Sequence, residues 1–191
     1  MNRRAVETGV LQGSVAQPLA VLTFRTNEQV YGLPVTAVSQ LIEMVAITSV
    51  PEAPPTIQGV INVHGEIVPV MDLRLRLGLP FKPYHLRTPI ILMQANGRSL
   101  AVVVDEVETV IDIDLAEMQS DEAVFDFAAN ESQHQANTFS SIAKVNTQLI
   151  IIIDANSLVS NHLDTQLTQV LSAGMGKTKT KARMQNELAG V

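Results

Sequence analysis

Residues Ile57–Leu73 read IQGVINVHGEIVPVMDL, and the rest of the chain is arranged around this stretch. Two largely apolar runs, Val60–Val63 and Ile67–Met71, flank the short connection formed by residues 64–66. β-Branched runs on either side of a glycine-containing connection are typical of a β-hairpin. Pro69 cannot donate a backbone hydrogen bond, which predicts an edge strand or a bulge at that position. Nothing in this central hairpin is chemically reactive, so it favours a recognised surface over an active site.

Composition narrows the class of protein. The 191 residues are 46% hydrophobic but only 4% aromatic, so any core is aliphatic, and the abundance of Val and Ile predicts an all-β fold. A formal net charge of −6 argues against nucleic acid as a partner. The absence of cysteine excludes disulfides, zinc–thiolate sites and a thiol nucleophile, and it suits a reducing cytoplasm.

The two ends of the chain differ from its middle. Residues 1–17 are polar and aperiodic, which predicts a disordered lead-in, and their two arginines are followed by no apolar region typical of a secretory signal. The longest apolar run, Leu149–Ile153, is far shorter than the roughly 20 residues that span a bilayer. We therefore expect a cytoplasmic protein without direct membrane insertion.

Three further hairpins are predicted. The first joins Ala20–Phe24 to Gln29–Leu33, the second turns at Asn96-Gly97, and the last joins Ile142–Val145 to Leu149–Ile153. After the first hairpin the apolar spacing is compatible with one face of a helix or with the start of a strand, and both remain open. The residues concerned are Val35, Val38, Leu41 and Ile42.

An internal repeat relates the hairpins. Placing the Asn27 turn on the Asn96 turn gives an offset of 96 − 27 = 69, which brings Val38 onto Val107 and Leu41 onto Val110. Placing Asp72 on Asp154 gives an offset of 154 − 72 = 82 for the central and final hairpins. The chain is therefore interpreted as two barrels of four or five strands each, roughly residues 20–84 and 88–155. The pattern leaves open whether the barrels exchange strands.

No catalytic or metal-binding pattern is present. The acidic run from Asp105 to Glu131 lacks Lys and Arg, and its carboxylates do not follow the spacing of a calcium loop. A solvated face with a mobile loop is favoured there over a metal site or a dock for a basic partner. The four histidines lack metal-ligand spacing, and hydrolase motifs are missing. We expect no catalytic residues, no metal and no cofactor. A ligand-binding barrel is disfavoured because side chains normally fill barrels this small.

The C-terminal residues 160–191 are predicted to contain a helix followed by a basic tail. The apolar positions of an amphipathic helix are Leu158, Leu163, Leu167, Val170 and Leu171. Packing of this helix against the barrels is favoured over recruitment of a partner. The tail at 177–183 carries four cations and is interpreted as solubilising.

The central hairpin resembles that of a known family. Residues 59–74, GVINVHGEIVPVMDLR, are similar to the G-V-x-N-x-R-G-x-I-x-P-x-x-D-L-R hairpin of the CheW family, the coupling proteins of bacterial chemosensory arrays. The resemblance covers about residues 18–159. It implies two five-stranded SH3-like barrels packed side by side, with a C-terminal helix. It also implies a non-enzymatic adaptor between the cytoplasmic tip of a chemoreceptor and the regulatory domain of a CheA-like histidine kinase, recruited to membrane-associated receptor arrays.

Carried over by position, the resemblance implies a partner-binding surface. Its residues are Val38, Gln40, Leu41, Gly59, Asn62, His64, Gly65, Ala101 and Val110. The family usually has Glu, Arg and Gly where this chain has Gln40, His64 and Ala101. These departures motivate an alternative function, a divergent scaffold that binds or titrates the kinase without engaging a receptor. Because imidazole changes charge between about pH 5.5 and 8, partner binding through His64 is hypothesised to depend on pH.

Overall fold

The protein is described by a computed structural model, which covers residues 17–119, 139–159 and 165. Sequence predictions for the N-terminal lead-in, the later part of the acidic run, and the C-terminal helix and tail fall almost wholly outside these residues. The described chain consists mainly of strands with a few short helical turns, which confirms the all-β prediction.

Residues 17–119 and 139–159 contain eleven strands and one short helix. The strands are β1 Leu19–Thr26, β2 Gln29–Pro34, β3 Val38–Glu43, β4 Ile57–Val63, β5 Glu66–Asp72, β6 Pro89–Ala95, β7 Arg98–Val103, β8 Glu106–Ile113, β9 Met118–Gln119, β10 Phe139–Val145 and β11 Gln148–Ile153. The helix α1 spans Leu73–Arg76, and 3₁₀ turns span Val35–Ala37, Leu115–Glu117 and Asn156–Leu158.

The strands form two sheets with the same internal order. Sheet A has the order β8-β1-β2-β11-β10-β9, and sheet B has the order β3-β6-β7-β5-β4. The repeat relates β8 to β3, β1 to β6, β2 to β7, β11 to β5 and β10 to β4, so the two sheets have equivalent strand orders. In sheet B, a bridge between Thr48 and Val60 takes the place of β9. Sheet A thus has six strands where five were expected, because β9 adds a two-residue strand.

The first hairpin of each repeat unit is exchanged between the sheets. Strands β1 and β2 join β8–β11 of the second half, while β6 and β7 join β3–β5 of the first half. Parallel pairing completes each exchange, between β2 and β11 in sheet A and between β5 and β7 in sheet B. The sheets therefore do not coincide with the sequence halves 20–84 and 88–155.

The exchange of hairpins between the sheets buries both faces of the central strands. Along β7, Leu100 and Val102 belong to a core between the two sheets, whereas Ala101 and Val103 belong to the interior of sheet B. This alternation follows from the two-residue period of a strand. A third cluster, which includes Ile152, fills the interior of sheet A. The core between the sheets, here called the inter-sheet core, joins the two barrels.

Sheet B is closed by a short segment that follows β3. Thr48 exchanges two backbone hydrogen bonds of 2.9 Å with Val60 of β4. Gly59 permits this approach, because a Cβ atom there would lie 2.2 Å from the Thr48 carbonyl oxygen. Its φ of +145° is also one that side-chain-bearing residues rarely adopt. Closure of this barrel therefore requires glycine at position 59.

The four two-residue hairpin loops share one backbone feature. The first residue of each loop has a positive φ: 58° at Asn27, 51° at His64, 50° at Asn96 and 56° at Asn146. Asn and His are among the residue types enriched in this left-handed region. The offsets of 69 and 82 superimpose these positions pairwise, so the repeat extends to the backbone conformation of the turns.

Pro69 opens the ladder between β5 and β7. The expectation of an edge strand is wrong, because β5 lies between β7 and β4. The expectation of a bulge at Pro69 is also wrong, because the register shift in the β4–β5 pair lies at Ile57/Gly59. Both backbone groups of Val60 bond Thr48, so those of its partner Pro69 point towards β7. Because Pro69 has no N–H, pairing with β7 begins only at Val70.

The segments after β5 and β11 each hold the first-hairpin turn of the opposite sheet. After β5, Arg74 forms an ion pair with Asp105, whose Oδ2 also accepts the backbone N–H of Asn27 at 2.7 Å. After β11, Oδ1 of Asn156 accepts the backbone N–H of Asn96 at 2.8 Å. Positions 74 and 156 are related by the offset of 82. Equivalent positions therefore secure one barrel against the other through different chemistry.

Candidate partner-binding site

Strand β3, at the edge of sheet B, places two apolar side chains on its inter-sheet face. Val38 pairs with Met93 and Leu41 pairs with Ile91, with a register shift just after Val38. Directly paired residues place their side chains on the same face of a sheet, and Met93 and Ile91 belong to the inter-sheet core. The extra residue of this bulge brings positions three apart onto one face. We call Val38 and Leu41 the β3 rim.

Strand β8, at the edge of sheet A, repeats this arrangement. Val107 pairs with Phe24 and Val110 pairs with Leu22, again across a register shift. Phe24 and Leu22 are members of the inter-sheet core, so Val107 and Val110 lie on its face. We call these two residues the β8 rim. The offset of 69 relates both pairs, so the two rims are equivalent positions of the repeat.

Each rim extends the inter-sheet core to the protein surface. Val38 and Val107 are partly buried and pack against that core. Leu41 and Val110, three residues further along, are 45% and 53% exposed. Apolar surface that is continuous with a core and surrounded by polar side chains is typical of protein–protein interaction sites. The rims are therefore candidate docking surfaces.

An open groove of about 380 Å³ runs between the β3 rim and the start of β8. Its apolar lining consists of Leu41, Ile42, Pro89 and Val107. Its charged lining consists of Glu43, Arg87, Asp105 and Glu106. The groove thus offers an apolar floor with charges of both signs around it, and it connects the two rims.

The tip of the central hairpin is a second, rigid surface. Oδ1 of Asn62 accepts the backbone N–H of Gly65 at 2.8 Å, and Val63 pairs with Glu66 to close the loop. His64 and Gly65 both have positive φ, which is the conformation of a type I′ turn. Asn62, His64 and Gly65 are exposed. The sequence thus places an imidazole on a fixed, solvent-facing turn.

The rims and the hairpin tip are carried by different strands. Val38 and Leu41 lie on β3 and Val110 lies on β8, whereas Asn62, His64 and Gly65 lie at the end of the β4–β5 hairpin. The candidate docking surfaces are therefore the two rims and the hairpin tip.

Comparison with known proteins identifies the family. Residues 20–162 match the family model described as CheW-like domain. The chain belongs to this family. It is 32% identical over 140 residues to chemotaxis protein CheW of Bacillus subtilis, covering 73% of this chain and 85% of that protein. It is 30% identical over 139 residues to chemotaxis protein CheW of Thermotoga maritima, covering 73% of this chain and 86% of that protein.

A solved structure supports the same CheW-like assignment. The crystal structure of scaffolding protein TtCheW from Thermoanaerobacter tengcongensis matches this chain with a TM-score of 0.67 at 29% identity. The match covers 76% of this chain and 95% of that one. The two sheets described above are the paired SH3-like barrels of the CheW-like fold.

Two of the expected CheW-like site residues lie inside the protein. Gly59 is buried beneath Thr48, and Ala101 is fully buried in the interior of sheet B. Neither offers side-chain surface to a partner. The methyl group of Ala101 therefore packs in the barrel interior. Gln40, by contrast, is exposed on β3 next to Leu41.

Two residues that shape the groove, Val107 and Asp105, were not among the predicted site residues. Val107 was available from the repeat, since it aligns with Val38. Asp105 was assigned to a solvated acidic run, but its carboxylate bonds Arg74 and the Asn27 turn. Only the partnership with Arg74, 31 positions away, reveals that role.

A hydrogen-bonded polar pair, Tyr84 and Asp72, lies beside the Arg74–Asp105 ion pair. The Tyr84 hydroxyl donates to Oδ2 of Asp72 at 2.5 Å, while Oδ1 of Asp72 accepts the backbone N–H of Leu75 at the start of α1. Burial, followed by the hydrogen bond and the negative charge of Asp72, raises the pKa of Tyr84 far above its ordinary value. The neutral phenol therefore persists and holds the loop before β6 against α1.

Neither a metal cluster nor a membrane helix is found in the part of the chain that the structure describes. Within residues 17–119 and 139–159, no three His, Asp or Glu side chains are grouped so that they could bind a metal ion. The same described residues contain no helix of the length and apolarity needed to cross a bilayer.

Proposed function

We propose that this CheW-like protein is a non-enzymatic adaptor that couples the cytoplasmic tip of a chemoreceptor to the regulatory domain of a CheA-like histidine kinase. The relatives named chemotaxis protein CheW and the structure titled scaffolding protein support a chemotaxis scaffold. In this proposal the protein acts in the cytoplasm and is recruited to receptor arrays at the membrane.

The observation that carries the proposal is the pair of equivalent rims. An adaptor must hold two proteins at once, and Leu41 and Val110 are exposed apolar residues at equivalent positions of different sheets. The outer edges of β3 and β8 also have backbone groups available for pairing with a partner strand. The exposed hairpin tip at His64 offers a further contact.

The mechanism is thermodynamic. Binding both partners to one rigid body raises their effective concentration relative to each other. If receptor binding changes the affinity of the adaptor for the kinase by some factor, kinase binding changes its affinity for the receptor by the same factor, because coupling between binding sites is reciprocal. The contacts of Arg74 and Asn156 that fix one barrel on the other provide the rigidity this requires.

The test uses one charged substitution on each rim. We expect Leu41→Glu and Val110→Glu each to weaken binding of a receptor-tip fragment or of the kinase regulatory domain by about tenfold or more, because a desolvated carboxylate replaces an apolar contact. Binding is measured by isothermal titration calorimetry with each purified partner. Leu149→Glu is the matched control, since Leu149 is an exposed apolar residue of β11 that belongs to neither rim.

The outcomes separate the competing functions. Unchanged affinities in both rim variants would contradict the role of the rims. Binding of the kinase domain without binding of any receptor tip would replace coupling by the alternative of a kinase-titrating scaffold. The contribution of His64 is measured separately by comparing the affinities of the wild type and His64→Ala between about pH 5.5 and 8. A flat profile with equal affinities for the wild type and His64→Ala would remove His64 from the interface.

A further inference from the structure

A cleft of about 370 Å³ lies between β5 and β7, beside the central hairpin. Its apolar lining consists of Ile67, Pro69, Ala95, Leu100 and Val159. Its polar lining consists of Glu66, Gln94, Arg98 and Ser99, with Gly97 at the turn. A volume of this size exceeds the voids that are normal between paired strands. The lining of this cleft would suit an occupant with one apolar and one polar face.

The missing N–H of Pro69 interrupts the β5–β7 ladder beside this cleft. By the offsets of 82 and 69, Pro69 corresponds to Ile151 and Leu100 to Tyr31. In sheet A, Ile151 pairs with Tyr31, whereas in sheet B the corresponding pair is absent and pairing starts at Val70. The Gln29 side chain also ties β2 to β11 in sheet A by donating to the Leu149 carbonyl at 3.3 Å.

The main chain itself reaches this cleft at Val159. Val159 is buried and is one of the lining residues. Its carbonyl accepts a hydrogen bond of 3.1 Å from the Asn96 side chain, which fixes the chain at the mouth of the cleft. From there, 191 − 159 = 32 residues follow in the sequence. The segment that follows Val159 in the sequence is therefore joined to the chain at the cleft.

The sequence of this following segment suits the cleft. Residues 160–171 read SNHLDTQLTQVL, and the spacing of Leu163, Leu167 and Leu171 predicts one apolar helical face. Thr165 is helical and exposed. At about 100° per residue, Thr165 lies on the side opposite Leu163 and Leu167. A helix of 12 residues is about 18 Å long, comparable with the roughly 13 Å between Glu66 and Val70 along β5.

We propose that residues 160–171 dock their leucine face into the cleft between β5 and β7. The apolar lining around Ile67 and Leu100 receives the leucines, and Glu66 and Arg98 remain at the polar margin. The docked segment lies against the base of the central hairpin and supports the turn that carries His64. This proposal concerns the protein itself and does not depend on which partners the adaptor binds.

The absence of cysteine makes a cross-linking test clean. The variants Ile67→Cys/Leu163→Cys and Ile67→Cys/Leu167→Cys each introduce one thiol in the cleft and one in the segment. A disulfide requires Cα atoms within about 7 Å, so its rate of formation in glutathione buffer reports proximity. Pairing each segment thiol with Leu149→Cys gives the matched control, because Leu149 is the repeat equivalent of Ile67. Ile67→Cys/Thr165→Cys tests the helical face.

We expect at least one leucine pair with Ile67 to form an intramolecular disulfide about tenfold faster than the controls, because a docked segment has a raised effective concentration. Non-reducing electrophoresis and peptide mass spectrometry identify the product. Equal rates for the Ile67 and Leu149 pairs, or a faster reaction with Leu149, would overturn the proposal. A product that is only intermolecular would also overturn it, since the occupant would then be a second copy.

A second measurement does not depend on disulfide geometry. The single variant Ile67→Cys is labelled with a polyethylene glycol maleimide in the full chain, with and without the changes Leu163→Asp and Leu167→Asp. Two carboxylates in the leucine face should release the segment and raise the labelling rate by about tenfold. The same changes should leave the labelling of Leu149→Cys unaltered. No increase at Ile67 would refute docking in the cleft.

Discussion

Replacing Gly59 by alanine is expected to open the barrel formed by sheet B. The new Cβ atom would lie 2.2 Å from the Thr48 carbonyl oxygen and 2.8 Å from Cγ2 of Ile47, both too close for any real contact. The first neighbour is backbone, so the strain cannot be relieved by rotating a side chain. The segment containing Thr48 must move away from β4 and lose its two hydrogen bonds with Val60.

The loss of stability in Gly59→Ala follows from these two hydrogen bonds and from the φ angle of residue 59. Each bond contributes about 0.5–1.5 kcal/mol to the free energy of unfolding. Alanine held at a φ of +145° adds about 1–3 kcal/mol of strain. The sum, about 2–6 kcal/mol, is a large share of the roughly 5–15 kcal/mol that stabilises a typical domain.

Urea unfolding followed by circular dichroism measures this effect. With a slope of about 2 kcal/mol per molar urea, the midpoint should fall by about 1–3 M. Gly97→Ala is the matched control: its φ is +72° and no atom lies within 4 Å of the added Cβ, so only a backbone penalty of about 1–2 kcal/mol applies. If the two variants lose the same stability, steric closure by Thr48 is not what requires Gly59.

Other expectations concern stability. The free energy of unfolding of His64→Asn should lie within about 0.5 kcal/mol of the wild-type value, because Asn occupies the first loop position of the other three hairpins. His64→Ala should lose about 1 kcal/mol of stability. Equal urea midpoints for the two variants would contradict this expectation. Asp105→Asn should lower the free energy of unfolding by about 1.5–3 kcal/mol, and Glu108→Gln should lower it by less than about 1 kcal/mol. The difference is expected because the side chains of the Arg74–Asp105 pair are 12% and 17% exposed, whereas those of Arg25–Glu108 are 36% and 26% exposed. Equal losses of stability in urea unfolding would refute it. The raised pKa of Tyr84 means that the folded state keeps a proton that the unfolded chain releases, so stability should fall above about pH 10. Tyr84→Phe should flatten that fall in urea midpoints measured between about pH 8 and 11, and an unchanged slope would argue against Tyr84 as its source.

The sequence predicts the hairpins well and the edge strands less well. The Asn96-Gly97 and His64-Gly65 loops follow from local turn chemistry, which depends on neighbouring residues alone. The spacing of Val38 and Leu41 was compatible with a helix or a strand, and the structure gives a reason for this ambiguity. The bulge in β3 places residues three apart on one face, so a bulged strand imitates helical spacing.

The exchange of hairpins could not be decided from the sequence. Along β7 every residue from Leu100 to Val103 is buried, so the apolar pattern does not indicate which face meets which barrel. Burial of Gly59 and Ala101 likewise depends on Thr48 and on the opposite strands, which a local pattern does not contain. The repeat offsets nevertheless specify the equivalent rims, because they relate positions rather than contacts.

Exchanged hairpins also have a consequence for synthesis on the ribosome. Strand β2 ends at residue 34, but its neighbour β11 is complete only at residue 153, after a further 153 − 34 = 119 residues. At about 5–20 residues per second, the first hairpin waits about 6–24 s for its sheet. During that interval apolar side chains of β1 and β2, among them Phe24 and Leu33, lack their native cover. The nascent chain therefore has a period of exposure that is set by topology and by translation speed.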